Sequence, residues 1–154
     1  MFAASTTAIN IVELLHILTV VLAFAPVFVH PLLRRQMLAA DTSGYRHLVL
    51  SMAANARRVH GPALIAAGFL GIALVEMSED AISVSDGWVI AAIVIWVAMI
   101  GVLHGLIRPA LKAQGEASSG DTSAASAGRR AEMGSALLSI LFVVQMVLMI
   151  WQPG

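Results

Sequence analysis

Four stretches of this chain are apolar almost without interruption: residues 9–29, 59–77, 88–107 and 134–151. Each is 18 to 21 residues long, and roughly 20 mainly apolar residues carry a helix across about 30 Å of hydrocarbon. In lipid the backbone has to satisfy its own polar groups, so each run is expected to be an α-helix. The two-residue alternation of a barrel strand is missing. The expected fold is therefore an all-α integral membrane protein, a four-transmembrane-helix bundle forming one membrane domain over residues 1–154.

Composition agrees. Hydrophobic residues make up 59% and charged residues 12%, against about 45–50% and about 25% in soluble domains. So apolar a chain is not a disordered one. Nine basic and nine acidic residues cancel, so no positive field invites nucleic acid. Without cysteine there is no disulfide, thiolate metal site or cysteine nucleophile. Phosphate loops, nucleophile elbows and the zinc-protease His-Glu-x-x-His pattern are missing too, and no enzymatic activity is assigned.

Charge orients the bundle. Arg34, Arg35, Arg46, Arg57 and Arg58 lie between the first and second runs, and Arg108, Lys112, Arg129 and Arg130 between the third and fourth. The remaining connection carries Glu79, Asp80 and Asp86, with Glu76 just before it and no basic residue. The positive-inside rule makes the basic side cytoplasmic and puts both termini outside. Positive charge follows the first run instead of preceding it, as in a retained anchor and unlike a signal peptide.

Between the spans, residues 114–128 are rich in Ser, Ala and Gly and are expected to be a flexible cytoplasmic linker. Residues 45–58 are expected to be a helix feeding the second span, with Leu48, Met52 and Ala56 against the headgroups. Pro26 should kink the first span and free a carbonyl for a neighbour to satisfy. Gly68, Gly71 and the Gly101-x-x-x-Gly105 pair suit close helix contacts. Trp88 and Trp151 mark the outer interface.

Five histidines carry the remaining chemistry. His30, His60 and His104 fall at a similar depth near the cytoplasmic surface, with His47 in the loop on that side. The trio reads either as a metal or haem site between helices or as amphipathic residues at the headgroup level. His16 lies roughly 10 Å below the outer boundary. It shares a helix face with Asn10 and Glu13, so Glu13 is a candidate to orient its ring. Because ionisable groups within spans are functional candidates, His16 reads as a cofactor ligand or as a helix–helix hydrogen bond. A single Glu-x-x-His excludes a di-iron centre, which needs two. Level with His16 on the fourth span are Gln145 and Met146, and the Met146 thioether is a candidate axial partner for haem.

The run Glu13-Leu14-Leu15-His16-Ile17-Leu18, the later pair Arg34-Arg35, Gly61-Pro62-Ala63, Gly71-Ile72-Ala73-Leu74 and Trp88 resemble a bacterial family of small integral membrane proteins. That family is similar in turn to copper-resistance D-type proteins and to HemJ-type membrane protoporphyrinogen oxidases. The resemblance covers about residues 9–109. It implies a bacterial inner-membrane bundle and a haem b on the first-span histidine, here His16. The third span has no lysine, a residue those oxidases use there, so the resemblance implies haem and not protoporphyrinogen oxidation.

The expectations are then a haem b protein of membrane electron transfer, with His16, His60, His104 and Met146 as cofactor-binding candidates. The alternative is an accessory or assembly subunit, or a metal-handling transport component without haem. In that case His30, His60 and His104 would hold copper or another transition metal. Partners are the lipid bilayer and a homo-oligomer or larger membrane complex.

Overall fold

The computed structural model describes residues 5–39, 42–78, 81–117 and 122–152, with the side chains of 27–43 outside the description. Every regular element among the described residues is helical. Helix α1 spans Thr6–Ala39. The second long helix begins as α2 (Thr42–Asn55), passes through a π-turn at Ala56–His60 and continues as α3 (Gly61–Glu76). The third follows the same plan, with α4 (Gly87–Val102), a π-turn at Leu103–Ile107 and α5 (Arg108–Glu116). Helix α6 (Thr122–Trp151) ends the bundle. Four of these helical stretches are long and apolar enough to cross a membrane, which makes this a multi-pass membrane protein.

Glycines fix how successive helices meet. A Cβ on Gly68 would lie 2.0 Å from the Trp96 indole, and one on Gly61 would lie 2.7 Å from the His104 ring. On Gly134 a Cβ would come within 2.6 Å of Ile107, and on Gly128 within 2.9 Å of Gln114. These pairs show α3 antiparallel to α4, and the α4–α5 helix antiparallel to α6. Helix α1 packs along α3 and reaches α6 at Phe24 and Phe142, whose ring centroids are 4.1 Å apart. The outward faces carry exposed Leu14, Leu18, Val94, Val97, Ile140 and Ile150, as a bundle surrounded by lipid requires.

The helices outrun the membrane. The second spans 33 residues, about 50 Å at 1.5 Å per residue, whereas the hydrocarbon is about 30 Å thick. Only residues 77–86 separate the end of α3 from the start of α4 at the acidic end, so the excess projects at the basic end. There α2, α5 and the start of α6 form a helical stub around Val49, Ala53, Leu111, Ala127 and Ala131, all buried. Gln114 Nε2 donates to the Tyr45 hydroxyl, joining α5 to α2.

Two sequence expectations change here. Residues 45–58 do feed the second span as a continuous helix, but Leu48, Met52 and Ala56 pack in the core instead of facing the headgroups. Most of 114–128 is helix, since α5 extends to Glu116 and α6 begins at Thr122. Ala is the best helix former, and Gly128 lets α6 close on Gln114, where a Cβ would meet the amide at 2.9 Å. Composition alone omits that packing partner.

Candidate functional site

His16 sits on the face of α1 that meets α3. Its Nδ1 lies 2.9 Å from the Ala67 carbonyl oxygen. A carbonyl only accepts, so Nδ1 carries a proton and donates, and Nε2 is the ring nitrogen left uncommitted. The ring rests on Gly71, where a Cβ would be 3.2 Å from Cε1. Asn10 and Glu13 are exposed, and it is the Ala67 carbonyl, not Glu13, that orients the imidazole. The Thr19 hydroxyl donates back to the carbonyls of Leu15 and His16, satisfying itself within the helix.

One turn along α3, the Trp96 indole N–H donates to the Leu64 carbonyl at 2.8 Å. The indole lies over Gly68 and meets Phe69 edge-on at 5.6 Å. Flanking helices thus fasten onto the backbone of α3 from two sides, by His16 from α1 and by Trp96 from α4.

His60 makes the third such bond. Its Nδ1 donates to the Leu22 carbonyl at 2.9 Å. In a regular helix that carbonyl would accept from the N–H of residue 26, but Pro26 has none. His60 is therefore the neighbour that satisfies the carbonyl freed by Pro26. His104 packs its ring on Gly61, next in sequence to His60, and the two π-turns touch. Such turns inside α-helices occur often at functional sites.

His60 and His104 come to one level, while the side chain of His30 lies outside the described residues. Among the described residues, no three of His, Cys, Asp and Glu converge on a metal site. His47 is exposed on α2.

On α6 the inward positions are Ala127, Ala131, Gly134, Leu138 and Gln145, all buried, with Leu141 packed against the core. Steps of four and three residues mark a continuous seam. Met146 falls off this seam and is 38% exposed, so it is Gln145 that α6 turns inward. The spacing was present in the sequence, but a polar residue on a seam of small and apolar ones gave no chemical cue. Gly101 and Gly105 have nothing near their Cβ positions and make no helix contact, whereas Gly68 and Gly71 do.

Compared with known proteins, the chain matches no family model, no curated protein and no solved structure.

Proposed function

We propose that this is a bacterial inner-membrane protein, with both termini outside, that binds haem b through His16 and passes electrons within the membrane. The observation that carries the reading is the hydrogen bond between His16 Nδ1 and the Ala67 carbonyl. An imidazole that ligates a metal almost always donates its other N–H to a carbonyl, carboxylate or water, as His16 does to Ala67. A lone imidazole holds iron firmly when the rest of the coordination comes with the metal, and a porphyrin brings four nitrogens of its own. Haem would supply one-electron chemistry. The chain's own part is to present Nε2 and to keep the ring from turning. Met146, 38% exposed and off the buried seam of α6, is not among the residues that would hold the group.

His60 and His104, level with each other on facing π-turns, favour a second reading. In it the protein is a metal-handling component that holds copper or another transition metal at the basic end.

The test is the visible spectrum and metal content of protein purified in detergent. A Soret band with reduced α and β bands is expected, lost or shifted in His16→Ala and unchanged in His47→Ala. Bound metal without a Soret band, lost in His60→Ala or His104→Ala, would replace the first reading by the second. Colourless, metal-free protein would leave an accessory or assembly subunit.

A further inference from the structure

Gln145 is the one buried polar side chain among the described residues, 8% exposed, and its amide oxygen has no hydrogen-bond partner. Its surroundings follow from the register. Gly134 lies against Leu106 and Ile107. Eleven residues make about three helical turns, so Gln145 stands on the same face of α6, level with Ile95 and Trp96 on antiparallel α4. One turn back on α6 is Phe142, packed against Phe24 with the rings tilted by 31°. The amide is thus set among aromatic and aliphatic groups, between helices long enough to cross a membrane.

Nearby donors are already committed. The Trp96 N–H bonds to Leu64, and His16 Nδ1–H bonds to Ala67. A buried polar group left unmatched is strongly unfavourable, so the oxygen is open to a donor beyond the described residues. Water is a poor candidate, because buried water holds its place through two to four polar partners. A better match is an uncharged, apolar molecule with a single well-placed O–H, the pattern of small-molecule sites in which a few polar groups fix the orientation.

We propose that the Gln145 amide oxygen accepts the hydroxyl of a lipid-soluble hydroquinone bound between α4 and α6 beside Trp96 and Phe142. The hydroxyl donor is argued from the amide alone. Choosing a hydroquinone among such donors rests on the electron-transfer reading above.

The experiment is thermal unfolding of the purified protein with decylubiquinol or its dimethyl ether, on the native chain and on Gln145→Leu, which keeps the volume and removes the amide. Decylubiquinol should raise the unfolding temperature of the native chain in a saturable way. Gln145→Leu should bind it about tenfold more weakly, the worth of one hydrogen bond, and the dimethyl ether should be weaker by a similar factor on the native chain. Ligand-free Gln145→Leu should be at least as stable as the native chain, since it loses an unpaired amide. No response to decylubiquinol, an equal response in Gln145→Leu, or an equal response to the ether would each overturn the proposal. If the leucine variant fails to fold, Gln145→Met carries the same comparison. The haem spectrum is recorded on the same samples, so loss of the haem reading and loss of this one are told apart.

Discussion

Among single residues, Pro26 has the clearest consequence. It removes the N–H that Leu22 would otherwise bond, and His60, on another helix, supplies the missing donor. In lipid no water can take over. His60→Ala should therefore cost about 1–3 kcal/mol, the worth of an acceptor left unpaired away from water. In a Pro26→Ala background the restored N–H reaches the Leu22 carbonyl, and the same His60→Ala change should cost much less. Denaturing-detergent titration of the four proteins in this cycle reads the coupling directly. Equal costs in both backgrounds would mean that the His60 bond does not serve the freed carbonyl. That Pro26 needs a donor was legible in the sequence. Which residue answers was not, because the answer depends on how α1 and α3 slide past each other. The same limit applies to His16: a helix–helix hydrogen bond was one of its two readings, but that Ala67 would accept it was not legible.

At the scale of elements, the π-turns explain how long helices keep one buried seam. From Val89 the seam of α4 proceeds through Ala92, Trp96, Met99 and Leu103, in steps of three and four. An uninterrupted α-helix would continue at Leu106 and Ala110, yet Ile107 and Leu111 are buried alongside Ala110. The π-turn absorbs one extra residue. Deleting Gly105, exposed and without neighbours at its Cβ position, should turn this segment into regular α-helix and return Ile107 and Leu111 to seam positions. Deleting Ala98 should instead rotate everything beyond it by about 100°, one residue at 3.6 per turn. The expected outcome is a folded Gly105 deletion with an unfolding temperature well above that of the Ala98 deletion. Equal losses would mean that the π-turn is not a one-residue insertion. The four spans themselves were legible, because continuous apolar runs of that length have few other structures. Their polar extensions were not, since a Ser- and Ala-rich stretch is helical only where another helix covers it, as α5 and Gln114 do for the start of α6.

Across the whole molecule, charge divides by end. The basic end has nine Lys and Arg against Asp41, Glu116, Asp121 and Glu132, while the other end holds Glu13, Glu76, Glu79, Asp80 and Asp86 with no basic residue. Subtraction gives +5 and −5, so the neutral total conceals a strongly asymmetric molecule. Only one orientation keeps every Lys and Arg out of translocated loops. The membrane potential reinforces it, since moving one charge against 100 mV costs about 2.3 kcal/mol. The chain has no cysteine, so single cysteines report position without background. Ser83→Cys, in the acidic connection, should react with a membrane-impermeant maleimide on intact cells. Ala125→Cys, exposed near the start of α6 at the basic end, should react only after lysis. The reverse pattern would invert the bundle and move His16 to the cytoplasmic half. Equal labelling at both sites would mean that the chain inserts both ways, and the charge asymmetry would then not determine its orientation.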